Sequence, residues 1–259
     1  MSGRMFSRSL VVTLAGLLVV LAGPARAQEE EVTLDPVNID VTDLASLQSG
    51  ARTFVNYCMG CHGAHLVRYN TLLQLGLTDI QVKDNLQFTG DKIGDYMRTA
   101  MPAKEAKEWF GVTPPDLSVI ARVRGADWLY TYLRSFYRDP STTTGWNNTV
   151  FPNVGMPHVL WQLQGVRVKK ETPVMRNGKE VKDEEGHVLN TVTFETVQPG
   201  TQSAAQYDRT VRDLVNFLVW MGEPSQVERQ RIGVFVLVAV GILIVLSYLL
   251  YKEYWKDVH

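Results

Sequence analysis

Residues 58–65 read CMGCHGAH, and they hold both cysteines of a 259-residue chain. Two thiols three positions apart, with a histidine directly after the second, admit three chemistries. A zinc site would use Cys58, Cys61, His62 and His65. Those four crowd into one short stretch, whereas zinc modules separate their ligand pairs by about a dozen residues or more. A thioredoxin-like redox pair needs a strand–helix–strand setting, and none is visible nearby. The third reading is C-x-x-C-H attachment of a c-type haem. On a helix, positions i, i+3 and i+4 share one face. Cys58 and Cys61 can then bond the two vinyl groups while His62 points its imidazole at the iron. The preceding SGARTFVNY predicts a helix entering the motif, with Ser49 as its cap and Phe54 one turn before Cys58.

The chain ends indicate a compartment. Arg4 and Arg8 precede an apolar run at 10–23, and Ala25-Arg26-Ala27 follows as a small-x-small pattern. Residues 1–27 therefore read as a cleaved signal peptide. At the other end, residues 232–251, IGVFVLVAVGILIVLSYLLY, carry no charge. At 1.5 Å per residue they span about 30 Å, one hydrocarbon thickness. Tyr248, Tyr251, Tyr254 and Trp255 supply an interfacial belt. The expected plan is an exported domain at 28–228, a linker and transmembrane anchor at 229–251, and a short cytoplasmic tail at 252–259. That is a single-pass protein of a bacterial inner membrane with its domain on the periplasmic side. The compartment favours disulfides, but a Cys58–Cys61 bond would close a tiny loop and stabilise little, so the pair is there for chemistry.

The composition, 45% hydrophobic and 20% charged, is that of a folded protein, and a net charge of −1 argues against nucleic acid as a partner. Removing Arg4, Arg8 and Arg26 leaves 23 of the 26 basic residues against 27 acidic ones, a charge of −4. Glu29, Glu30, Glu31, Asp35, Asp40 and Asp43 concentrate that acid at the new N-terminus, as a solvated tail or a surface for a basic partner.

A His-ligated haem takes a methionine, a second histidine or nothing as its sixth ligand. Met59 lies inside the attachment motif. Met221 fits an apolar helical stripe and Met175 a charged hairpin. Met97 and Met101 fall in DKIGDYMRTAMP, which reads as helix, where methionine is usually packing. Met156 stands in FPNVGMPHVLW, flanked by Gly155 and Pro157, residues that stiffen a loop. His158 is its rival, with His65 more distant.

The remaining pattern predicts helices over 104–145 in two pieces. Asp116 is the cap, Gly125 the break, and a second piece covers 127–137 with a stripe of Leu129, Tyr132, Leu133 and Phe136. Arg122 and Arg124 at the break are surface charges or partners for haem propionates. Residues 164–200 alternate apolar and polar around Asn177-Gly178 and Gly186, a charged β-ribbon. SAAQYDRTVRDLVNFLVWMGEPS then reads as a helix with a Ser203–Gln206 capping box and a stripe of Tyr207, Val211, Leu214, Leu218 and Met221. Its expected partner is the helix carrying the cysteine motif.

In order, CMGCH, PPDLSVIARVRG, FPNVGMP, VNFLVWMGEP and a single C-terminal span resemble the cytochrome c1 family, from about residue 38 to the end. The resemblance implies a mainly α, class I c-type cytochrome fold with loop and β-ribbon insertions and one transmembrane helix. It implies haem c on Cys58 and Cys61, His62 as proximal and Met156 as distal ligand, and Arg124 on a propionate, with Arg122 the alternative. Trp128 stands where the family often has another aromatic. The implied function is electron transfer from a Rieske iron–sulfur protein to a cytochrome c, beside cytochrome b in a dimeric complex held in membrane lipid. The competing readings are a free-standing membrane-anchored cytochrome c shuttle, a haem peroxidase or reductase with an open iron, and a haem-based sensor, for which the eight-residue tail is too short.

Overall fold

The computed structural model describes residues 33–257, apart from 177, 178, 183–185 and 187. The signal peptide, Glu29 to Glu31 and the Asn177-Gly178 turn thus lie outside the described residues. In chain order the helices are α1 (Leu44–Thr53), α2 (Asp79–Asn85), α3 (Ala103–Phe110), α4 (Ile120–Arg124), α5 (Ala126–Arg134), α6 (Trp161–Gln164), α7 (Ala204–Gly222) and α8 (Gln226–Tyr254). A π-helical turn, Phe54–Cys58, continues α1, and a 3-10 helix covers Tyr69–Leu75. The strands are β1 (Ala64–Arg68), β2 (Tyr96–Met97), β3 (Phe136–Arg138), β4 (Trp146–Asn148), β5 (Gly165–Pro173), β6 (Met175–Arg176), β7 (Lys179–Glu180) and β8 (Asn190–Pro199).

The core forms where the two ends of the domain meet. The cap of α1 is Asp43, whose carboxylate accepts from Ser46 N at 3.1 Å. Ser49, the expected cap, sits inside the helix. Asp43 caps as well as a serine would, and the earlier start adds the fully buried Leu47 to the packing face. In α7 the Ser203–Gln206 capping box forms, and the whole stripe from Tyr207 to Met221 is buried. The two helices cross with the Phe54 and Phe217 rings 5.6 Å apart, and Ser46 Oγ donates to Asp213 Oδ1 at 2.9 Å. At the crossing, a Cβ on Gly50 would stand 2.1 Å from the Asp213 carbonyl oxygen. Only glycine permits that approach.

Three expectations are corrected. Residues 91–102 are not helical: Tyr96–Met97 forms β2, paired with β1 at Ala64↔Met97. Asp95 accepts from the backbone N–H of Asp91 and Lys92, both at 2.9 Å, a local turn that competes with helix. The second helical piece ends at Arg134 rather than 137, because Phe136 leaves the α5 stripe to pair with Asn148 in β4. Nor is the acidic segment wholly a free tail. Asp35 pairs with Arg134 at 2.7 Å, its N–H donates to Thr131, and Val37 N donates to Asp127.

The ribbon is β5 against β8, running from Gly165↔Pro199 to Pro173↔Asn190. Its base is not free-standing. β5 lies parallel to β3 through Arg138↔Val168, giving a sheet of order β4-β3-β5-β8. The break between α4 and α5 is Gly125, at φ +86°. Residues 226–231 already belong to α8, none of whose residues is buried. By length and composition α8 can cross a membrane. Glu223, before it, takes charge-assisted bonds from Arg122 on α4 and Arg229 on α8.

Candidate functional site

The cysteine motif occupies one tight turn. Met59 N donates to Phe54 O in the π-helical turn, then Cys61 N and His62 N both donate to Cys58 O, at 3.1 and 2.9 Å. Regular α-helix has ended by then, but i, i+3 and i+4 remain on one turn. Neither cysteine is in a disulfide; Cys58 is buried and Cys61 half-buried. Burial, with Cys61 close by, pushes the Cys58 thiol up to about 12, and burial raises Cys61 as well. Among the described residues, no three His, Cys, Asp or Glu side chains converge to hold a metal. His65 is exposed, with Nδ1 3.5 Å from Asp116.

His62 is 8% exposed, and its Nδ1 lies 2.7 Å from the Pro115 carbonyl. A carbonyl only accepts, so Nδ1 carries the proton and Nε2 keeps its lone pair, the state an iron ligand requires. Burial lowers the pKa of His62, partly offset by that bond, so the imidazole stays neutral at pH 7. The PPDLS segment clamps the chain leaving the motif. Leu117 N donates to Gly63 O at 2.8 Å, and Leu66 N donates to Ser118 Oγ at 3.0 Å. Asp116 is not the cap of α4, which begins at Ile120. Its carboxylate accepts instead from His65 N at 2.7 Å and Ser118 N at 2.9 Å. Burial opposes its ionisation, yet the bonds from Ser118 and His65 prevail and lower its pKa.

The chain just before PPDLS also braces the Met156 loop. A Cβ on Gly155 would stand 2.9 Å from Val112 Cγ1 and 3.0 Å from Phe110 O. Residues 110–118 thus touch both candidate axial ligands' segments. Two buried asparagines hold the loop. Asn148 Oδ1 accepts from Val150 N and Phe151 N, its Nδ2 donates to Tyr132 O, and Asn147 Oδ1 accepts from Asn153 N. Met156 is half-buried, and its sulfur accepts from Tyr132 Oη at 3.3 Å.

The rivals are placed differently. His158 is 2% exposed, stacked on Phe136 at 4.9 Å and edge-on to Trp146, with Nε2 2.8 Å from Gln164 Oε1. Met97 and Met221 are core residues, and Met175 is exposed on the ribbon. Met101 is half-buried in irregular chain beside Thr99, whose hydroxyl donates to Gly60 O in the cysteine turn. The two arginines also separate. Arg122 is paired with Glu223 at 2.6 Å, whereas Arg124 lies over the rings of Trp128 at 4.9 Å and Phe151 at 5.9 Å. Among the described residues, no carboxylate pairs with Arg124.

Two thiols on one turn, an imidazole with a free Nε2, a thioether on a braced loop and an unpaired guanidinium fit a haem c. The Cytochrome C1 family model matches residues 38–258. The chain belongs to the cytochrome c1 family. Like other members of the cytochrome c1 family it bears covalent haem c and is an electron-transfer subunit of the cytochrome bc1 complex. It is 48% identical to the cytochrome c1 of Allochromatium vinosum over 227 residues, covering 87% of this chain and 90% of that one. It is 47% identical to the ammonia monooxygenase gamma subunit of Nitrosomonas europaea over 245 residues, 94% and 97% of the two chains. The mitochondrial cytochrome c1 haem protein of Saccharomyces cerevisiae is 24% identical over 83% of this chain and 68% of its own. Reading the sequence alone missed Tyr132, Asn147 and Asn148. The visible signals were one hydroxyl in an otherwise apolar stripe and an Asn-Asn pair just ahead of the loop.

Proposed function

We propose that this chain takes single electrons from the Rieske iron–sulfur protein and passes them to a cytochrome c. It does so beside cytochrome b in a dimeric complex, with its domain on the periplasmic face of a bacterial inner membrane and α8 in lipid. Cys58 and Cys61 would hold the haem, His62 and Met156 would ligate its iron, and Arg124 would neutralise a propionate. When bound, the haem supplies reversible one-electron chemistry at high potential, as His/Met ligation favours. The protein's part would be to offer both His62 and Met156 to the iron, so that neither peroxide nor another substrate binds there.

The observation that carries this reading is the bond from His62 Nδ1 to Pro115, which fixes the tautomer with Nε2 free. The test is the weak long-wavelength absorption of methionine bound to ferric iron. Met156→Ala should abolish it, while Met101→Leu and His158→Leu leave it intact; a band that survives Met156→Ala rejects the assignment. Detergent purification through an affinity tag tests the partners. Cytochrome b and a Rieske protein should copurify with this chain. Purification alone would favour a free-standing shuttle, and capture of an oxygenase would favour the role that the Nitrosomonas relative is named for.

A further inference from the structure

We propose that Tyr132 is a positioning residue that raises the reduction potential of the site by donating a hydrogen bond from its hydroxyl to the Met156 sulfur. The inference rests on the reading of Met156 as distal ligand. Tyr132 Oη lies 3.3 Å from Met156 Sδ, and the residue is 8% exposed. Its ring is held on two sides, stacked on Trp128 at 4.8 Å and edge-on to Phe136 at 5.1 Å. Among the described residues, the phenol has no other hydrogen-bond partner. The backbone is held too, because Asn148 Nδ2 donates to the Tyr132 carbonyl at 2.8 Å and ties α5 to the start of the Met156 loop.

A second tyrosine–methionine contact shows what the first lacks. Tyr69 Oη approaches Met59 Sδ at 3.7 Å, but it also has Thr89 Oγ1 at 2.8 Å. Among the described residues, Tyr69 has an oxygen partner whereas Tyr132 has only the sulfur.

A thioether sulfur carries two lone pairs, so one can serve a metal while the other accepts a hydrogen bond. The O–H dipole sets its positive end against the sulfur and draws density from it. That disfavours the more positively charged, oxidised state of the site, and in a buried setting the effect is weakly screened.

The test is Tyr132→Phe in the full-length, haem-loaded chain, purified in detergent. The variant keeps the ring and loses only the donor. Its long-wavelength methionine band should persist but shift, and its midpoint potential should fall. At fixed ambient potential the reduced-to-oxidised ratio should drop by up to about fivefold, the limit set if a hydrogen bond of about 1 kcal/mol favours the reduced state alone. An unchanged potential with the band intact overturns the proposal. A band already missing from the parent protein instead overturns the assignment of Met156, so the two failures are distinguishable. If the variant does not accumulate, the parent protein is tested in its diamagnetic ferrous form. A slowly exchanging hydroxyl proton of Tyr132 with a nuclear Overhauser contact to the Met156 methyl group is expected, and its absence overturns the proposal.

Discussion

Met156 and His158 stand two residues apart in very different surroundings. His158 is packed between aromatic rings, and its Nε2 is committed to Gln164. The Gln164 amide nitrogen faces the Arg134 carbonyl, so its oxygen accepts and His158 Nε2 donates. Burial pulls the imidazole down to about 4, opposed only in part by the Gln164 bond. Between that value and an unfolded histidine near 6.5, the unfolded chain binds a proton that the folded one refuses. Stability from this group is therefore complete above about pH 6.5 and lost as pH falls toward 4, at a slope near 1.4 kcal/mol per pH unit. Urea unfolding across that window should show His158→Leu with a flatter pH dependence than the parent, by about one proton; equal slopes would refute the assignment. The sequence made the Gly-Met-Pro loop visible because glycine and proline advertise a fixed backbone. It concealed the setting of His158, because Phe136, Trp146 and Gln164 gather around it only in the folded chain.

Elements were legible where local signals agreed with tertiary packing. The Ser203–Gln206 box and the five-residue stripe of α7 needed no further information. Its crossing with α1 was foreseen as a pairing, though not its closeness. Gly50→Ala should force α1 away from Asp213 and Phe217, costing about 1–3 kcal/mol as overpacking does. A denaturant midpoint equal to the parent's would show that the helices separate freely. Strands β3 and β4 escaped detection because each is three residues long and Phe136 continues a helical stripe by chance. The turn at Asp95 escaped for a related reason: one carboxylate captures two backbone donors and outweighs the helical spacing of Met97 and Met101.

At the scale of the whole molecule, the domain's core owes nothing to α8, which is exposed along its length. A chain stopped after Ser225 should leave the membrane fraction, stay soluble without detergent and retain the haem spectrum of the full protein. The ion pair from Arg229 to Glu223 is lost, but such surface pairs contribute about 1 kcal/mol or less. Retention of the truncated chain in carbonate-washed membranes, or loss of its haem, would contradict this division of labour. The hydropathy of 232–251 announced the anchor, whereas the start of α8 at Gln226 depends on where α7 ends.

That junction has a mechanical consequence. Between Gly222 and Gln226 the chain has about 14 Å of reach at full extension, and Glu223 is strapped to arginines on both sides of it. So short a connection keeps the head close to the end of α8. A partner rooted in the same bilayer therefore searches for it in two dimensions, at a local concentration governed by membrane geometry and not by the volume of the compartment.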